Sequence, residues 1–417
     1  MFTQNQIDSR FQWNFSSTNS TDTCVNMRFK MILLYVCTIT TCFVKAILSL
    51  SELNCKVDNG KGSPADADWF LTYKMWTNFS SLTISDSSHY WKAEQMDEST
   101  SSLSHTMKPL LMQNNNNEIA IILWSNLPPY FRYPIHNTTS KGIIAWKNGA
   151  NGLWITHTIS YFPNFDAQNL NELFNQRFIK RRAAMVLCLT VKKTAFVDLT
   201  KHLIYHDPFI FFYKKPNLEG SAQQLFDSKE VKLLLSPYGD IKSPPYANVV
   251  RFTTASAEAP IQVSVLSKVA KGFADFYTSY VAKVLKISLR VWTPVEQNVP
   301  IEKSFCHDSL TVENIEGPVL LLNHTIRREY DSNAAWAVNK ISNPPWFCLS
   351  NNGRTARQSL SSSFAFYFLR GLIKLLFQVD QRTKALGIVC IQQADVFEQF
   401  SKMATDQVTE KCQQKLR

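Results

Sequence analysis

Several apolar runs stand out along the chain, each too short for a buried helix and each fenced by residues that break regular structure. Residues 119–124 form one, opened by the polar tract 114–117 and closed by Pro128-Pro129. Similar runs occupy 142–146, 153–157 and 183–191. Apolar stretches of this length between turn signals predict strands covered on both faces. Further on, Leu266, Val269, Ala270, Phe273, Tyr277, Tyr280, Val281 and Val284 recur at three- and four-residue spacing, which predicts an amphipathic helix over about 264–286. A strand over 287–292 follows, where Ile287, Leu289 and Val291 alternate with Ser288 and Arg290. Strands interleaved with helices, without sequence repeats, predict a layered α/β or α+β fold. The polar, proline-containing stretch 216–246 is the expected boundary between two lobes, 50–230 and 231–417.

Two segments do not fit that pattern. Met27-Arg28-Phe29-Lys30 is basic, and an apolar run follows to Val44, the layout of a secretory signal and too short for a membrane span. On this reading residues 1–49 are a presequence, translation starts at Met27, and cleavage falls between Lys45 and Asn54; an uncleaved anchor or a core helix is the alternative. The second segment, 359–380, is strongly apolar, with Arg370, Lys374 and Gln378 as a narrow polar stripe. Its internal charges argue against a spanning helix. A packed surface helix, a membrane-touching element and unspliced sequence all fit it.

Nine cysteines sharpen the picture. Cys24, Cys37 and Cys42 fall in the presequence, leaving Cys55, Cys188, Cys306, Cys348, Cys390 and Cys412. Six widely spaced cysteines without a C-x-x-C read as three disulfides rather than a zinc site. The sequons at Asn78, Asn137 and Asn323 agree with a chain routed to the secretory pathway, secreted or lysosomal. A formal charge of +11 suits polyanionic partners and carries no information about fold. The densest basic cluster is Arg177, Lys180, Arg181 and Arg182, with Lys192-Lys193 and Lys214-Lys215 beyond it. These side chains are either solvated surface or a rim that contacts phosphates. Nothing resembles a Walker loop, a zinc finger or a Ser-His-Asp arrangement, so no metal, cofactor or stable membrane anchor is expected. Oligomeric state is not encoded in any recognisable way.

Ordered motifs then give a resemblance. Asp68-Trp69-Phe70-Leu71-Thr72-Tyr73-Lys74-Met75 follows the first mature cysteine; Lys141-Gly142-Ile143-Ile144 leads into Gly152-Leu153-Trp154-Ile155-Thr156-His157-Thr158 and Phe162-Pro163. With the run around Cys188 and Trp336-Ala337-Val338, these resemble the deoxyribonuclease II family over residues 50–358 and 385–412. The resemblance implies a phospholipase D-like fold: two α/β lobes in one chain, each a mixed sheet flanked by helices. Each lobe would bring one His-x-Lys motif to a shared cleft that cuts DNA in acid without a metal, leaving 3′-phosphates. One imidazole attacks phosphorus, the other protonates the leaving oxygen, and two lysines neutralise the phosphate. It also implies the pairs Cys55–Cys188, Cys306–Cys412 and Cys348–Cys390, which would make 359–380 an insertion in the last loop.

Both motifs are broken here. The first reads Thr139-Ser140-Lys141-Gly142, so Thr139 stands where the family has histidine and only Lys141 survives. The second reads Ser332-Asn333-Ala334-Ala335-Trp336, with Asn333 for histidine and Ala335 for lysine. Asn352-Gly353-Arg354 is all that remains of a downstream stretch. His136 is near enough in sequence to substitute at the first site only if its loop shifts. His157 matches a family histidine outside the motifs, expected to hold the cleft by hydrogen bonds. Three functions are therefore weighed: an inactive homologue that still binds DNA, an active acid endonuclease, and a secreted interaction protein with no DNA role.

Overall fold

The computed structural model describes residues 52–61, 63–111, 118–131, 138–165, 170–174, 182–217, 219–236, 241–271, 275–294, 300–306, 309–328, 334–355, 384–405 and 412. The presequence 1–49, the apolar segment 359–380, His136, Asn137, Arg177, Lys180, Arg181 and Asn333 lie outside them.

A small hairpin, β1 (Cys55–Asp58) and β2 (Pro64–Ala67), precedes the first large sheet. That sheet comprises β3 (Trp69–Lys74), β4 (Ser80–Ser85), β5 (Ser88–Gln95), β6 (Ala120–Ser125), β7 (Lys141–Trp146), β8 (Asn151–His157), β9 (Ala184–Lys192) and β10 (Ile210–Lys214). Helix α1 (Ser102–Leu111) precedes β6 and α2 (Lys193–Ile204) follows β9. The four apolar runs thus become β6 to β9, and β6 and β7 are buried at every position. The strand order is β10-β6-β7-β8-β9-β3-β4-β5. Every pair is antiparallel, unlike the mixed sheet expected.

Two short helices, α3 (Ser221–Phe226) and α4 (Lys229–Leu234), lie in the stretch expected to be a lobe boundary. They are not open linker. Ala222, Leu225, Phe226, Val231 and Leu234 are buried in the main core, spaced so that each short helix presents an apolar face.

The second sheet contains β11 (Ala247–Thr253), β12 (Gln262–Lys268), β13 (Leu289–Trp292), β14 (Val312–Ile315), β17 (Ala335–Asn339), β18 (Trp346–Ser350) and β19 (Leu386–Gln392). Its order is β11-β12-β19-β18-β17-β13-β14, and only β13 and β14 run parallel. A hairpin of β15 (Val319–Leu321) and β16 (His324–Ile326) stands apart from it. A π-type turn (Tyr277–Val281) running into α5 (Ala282–Leu285) precedes β13, and α6 (Ala394–Thr405) follows β19.

The helix expected over 264–286 is corrected here: its first part is β12. Val263 and Val265 face the main core while Leu266 faces the opposite side, a period of two that the longer helical count concealed. Helical structure starts only at Phe276, where the Asp275 carboxylate accepts the Tyr277 N–H. The strand expected from Ile287 begins at Leu289.

The two sheets repeat one plan. In chain order β3, β6, β7, β8, β9 and α2 correspond to β12, β13, β17, β18, β19 and α6, and the spatial order β3-β9-β8-β7-β6 matches β12-β19-β18-β17-β13. This is consistent with the two lobes that the family resemblance implies. Residues 52–417 nevertheless form a single compact unit. One continuous core, including Trp69, Trp146, Phe196, Trp336 and Phe400, lies between the sheets and encloses α2 and α6. Separate clusters cover the outer faces, one with α1 and one with Phe276, Tyr277 and Val281.

Corresponding positions carry corresponding chemistry. Lys74 ends β3 and Lys268 ends β12; both are fully buried. Lys74 Nζ donates to the carbonyls of Met75 and Arg182, and Lys268 Nζ to those of Val269 and Lys384. Arg182 and Lys384 each stand two residues before the next strand, β9 or β19. Cys188 and Cys390 both occupy the fifth position of those strands. Three disulfides close, Cys55–Cys188, Cys306–Cys412 and Cys348–Cys390, the pairs the resemblance implies.

Candidate functional site

Lys141 is the first residue of β7 and Ala335 the first of β17, so the two positions where the resemblance expects lysine occupy equivalent places. Only the first carries an amine. Lys141 is mostly buried, and its neighbour across the edge is His157, the last residue of β8. His157 is wholly buried and its ring meets Phe162 edge-on, with centroids 5.0 Å apart. Among the described residues neither ring nitrogen has a hydrogen-bond partner of ordinary geometry. Burial and then the Lys141 charge push its pKa down to about 3, opposed weakly by the Ile159 backbone. The matching place in the second sheet is Ser350.

The residues before Lys141 are fixed by the other sheet. Thr138 makes a parallel bridge with Ala385, and the Thr139 N–H donates to the Ala385 carbonyl at 3.2 Å. Because Lys268 holds the preceding carbonyl, that of Lys384, the second sheet's buried lysine braces the first sheet's motif. Thr138 Oγ1 donates to the His206 carbonyl at 2.7 Å and accepts the Ser140 N–H. Thr139, in the family's histidine position, is buried and its hydroxyl has no partner among the described residues.

Sequence reasoning missed a pair of histidines beneath this segment. His202 and His206 leave the end of α2 one turn apart, buried, with ring centroids 5.0 Å from each other. Ser140 Oγ lies 2.9 Å from His206 Nδ1 and also accepts the Trp124 indole N–H at 2.8 Å. His202 Nδ1 lies 3.2 Å from Ser267 Oγ on β12. The His206 ring sits on Gly387, where a Cβ would approach to 2.0 Å, so β19 must have glycine there. Burial lowers His206 to about 3; burial and then His206 take His202 well below its usual value. His157 and His206 are therefore neutral at pH 5, and burial favours the neutral form of His202 as well. The signal available in sequence was the four-residue spacing of His202 and His206 beside Leu199 and Leu203, the buried face of an amphipathic helix.

The second sheet answers with a different device. Arg354, the remnant of the downstream stretch, is buried and donates from Nε and Nη2 to Asp275 Oδ2 at 2.9 and 2.6 Å. Its Nη1 donates to Asn314 Oδ1 at 2.6 Å, and Nη2 also reaches the Lys303 carbonyl. Every guanidinium partner is internal, so Arg354 braces the loop after β18. The Asp68 carboxylate of the opening motif makes a second seam, accepting from the Thr254 hydroxyl and the Ser256 N–H. Burial raises its pKa and those bonds oppose the rise.

Of the basic cluster, Arg182 is described and exposed. Lys193 bonds the Ser221 hydroxyl and Lys215 pairs with Asp227, away from Lys141 in sequence and fold. Asn78 accepts the Ser80 N–H from a half-buried position, and Asn323 is exposed. Among the described residues no group of three His, Cys, Asp or Glu side chains could hold a metal, and no helix is long and apolar enough to cross a membrane.

The geometry offers one buried ammonium, two flanking neutral imidazoles without surface access, and no amine at the second lysine position. Comparison with known proteins places this arrangement in a lineage. The family model described as deoxyribonuclease II matches residues 54–365. Plancitoxin-1 of Acanthaster planci is 21% identical over 378 residues, covering 86% of this chain and 93% of that protein. Deoxyribonuclease-2-alpha of Bos taurus is 20% identical over 380 residues, 84% and 97% of the two chains. Its Mus musculus namesake is 23% identical over 332 residues, 74% and 86%. With that coverage, carried by the same strands that seat Lys141, His157 and Cys188, the chain belongs to the deoxyribonuclease II family.

Proposed function

We propose that this chain engages DNA as a deoxyribonuclease II homologue but does not cut it, after transit through the secretory pathway. The observation that carries the reading is the pair of equivalent strand starts: Lys141 begins β7, with Thr139 in place of the attacking imidazole, and Ala335 begins β17. A positioned acid or base contributes about 10²–10⁴ in rate. Without a nucleophile the covalent route is closed. Loss of two imidazoles and a lysine should cost more than about 10⁴-fold, or roughly 5.5 kcal/mol of transition-state stabilisation. His157 and His206 do not make up the loss, because their buried rings cannot reach phosphorus unless the edge opens.

Ground-state attraction is less affected. Lys141, Arg182 and the +11 formal charge still favour a polyanion. Three disulfides support folding in an oxidising compartment. Plasmid nicking at pH 5 in chelator tests the inactivity, and salt-dependent binding to duplex DNA tests the engagement. Nicking by the purified chain would favour an active acid endonuclease; binding that is absent, or indifferent to salt, would favour an interaction protein with no DNA role.

A further inference from the structure

A pocket of about 180 Å³ opens between the two halves of the chain, away from the Thr139–Lys141 segment. One wall is the end of β3 with the residue before β9: Tyr73, Trp76 and Ala183. The other is the β15–β16 hairpin, which supplies His324 and Arg327. Among the described residues no carboxylate lines it. Trp76, two residues beyond the end of the fully buried β3, is 38% exposed, so part of its indole is accessible at the rim.

The pocket shares a sheet edge with Lys141. Strands β7, β8, β9 and β3 are successive antiparallel neighbours, so the start of β7, the end of β8, the start of β9 and the end of β3 are on one side. Three inter-strand steps of about 4.8 Å put Lys141 roughly 14 Å from the end of β3. A strand within a duplex advances about 3.4 Å per nucleotide and an extended unpaired strand more, so a strand with a phosphate at Lys141 brings another nucleotide to the pocket within about four positions.

We propose that this pocket is a subsite for one unpaired nucleotide, with its base on the Trp76 indole and its phosphate held by Arg327. Aromatic faces bind any base by stacking, and guanidinium is suited to phosphate. A base inside a duplex is already stacked and paired and cannot enter, so the subsite selects single strands, frayed ends or gaps. The inference rests on the chain engaging DNA at all, and the experiment separates the two.

Because Asn323 also lines the pocket, the full chain is made in an oxidising bacterial host that adds no glycan. Its affinity is measured for a 12-nucleotide single strand and for a duplex of about the same length. Trp76→Ala should weaken single-strand binding about tenfold, within the usual range for a stacked base, and leave duplex binding unchanged; Trp76→Phe should restore most of the loss. Arg327→Ala should weaken single-strand binding and lower its salt slope by about one. Unchanged single-strand affinity in Trp76→Ala, with duplex binding intact, overturns the subsite and leaves the DNA reading standing. No binding to either DNA overturns both.

Discussion

Placed side by side, the two sheets agree in their interior and disagree at their shared edge. Lys74 and Lys268 end equivalent strands, are equally buried, and each ties its own strand end to the approach of the next. Cys188 and Cys390 match in the same way. Yet the place of Lys141 is taken in the second sheet by Ala335, and that of His157 by Ser350. The first sheet supports its edge with neutral histidines, the second with a buried ion pair between Arg354 and Asp275. What the halves share is buried structure; where they differ is at the strand ends that the proposed reading makes the site.

The largest effect should come from erasing the difference at the edge. Thr139→His with Asn333→His and Ala335→Lys should raise plasmid nicking at pH 5 in chelator by at least about 10⁴-fold. Either half of that set alone should gain almost nothing, since groups acting as a unit do not contribute separately. Partial activity from one half would break the comparison.

Next is the ion pair particular to the second sheet. Arg354→Met strands the Asp275 carboxylate in the interior, and urea unfolding should show a loss of about 3–5 kcal/mol. A loss near zero would mean that the loop after β18 relaxes and hydrates the acid.

The histidines of the first sheet give a pH signature instead. Their folded pKa values lie below the ordinary 6.5, so their neutral forms are favoured by folding. Stability from each is complete above about pH 6.5 and falls as the pH drops below it, at on the order of 1.4 kcal/mol per pH unit. His202→Gln should therefore spare part of the loss between pH 7 and pH 5, read from urea midpoints at both values. An unchanged difference would show that His202 is solvated.

Much of this was legible in the chain and some was not. Runs such as 142–146 and 183–191 announce strands because both their faces are buried and polar interruptions are absent. The Thr139, Lys141 and Ala335 positions were named from motif order alone; in the structure Lys141 and Ala335 each begin a strand, and Thr139 lies two residues before β7. Residues 264–268 misled because Leu266 and Val269 fit a helical count that tertiary pairing with β11 and β19 overrides. The repeated plan does not show as a sequence repeat, because it survives in strand order and a few buried groups; only the family resemblance implied two lobes. His202 and His206 escaped notice because a histidine pair on a helix carries no chemical signature until Ser140, Ser267 and Gly387 close around it.

The smallest expected effect tests the seam itself. Thr138→Val removes the bond to the His206 carbonyl and should cost about 1 kcal/mol. Hydrogen exchange should quicken at Thr139, whose N–H donates to Ala385, and not in the middle of β7. Uniform quickening along β7 would mean that the seam is no separate unit.

The twin lysines also record ancestry. A buried amine at the same strand end, serving the same two kinds of carbonyl, points to duplication of one ancestral half followed by fusion. Since then Lys74 and Lys268 have been tested at every folding event, in every cell that makes the chain. The strand starts at Lys141 and Ala335 carry no such folding duty in common, so the two halves of this molecule serve as each other's control: the buried lysines match and the strand starts do not.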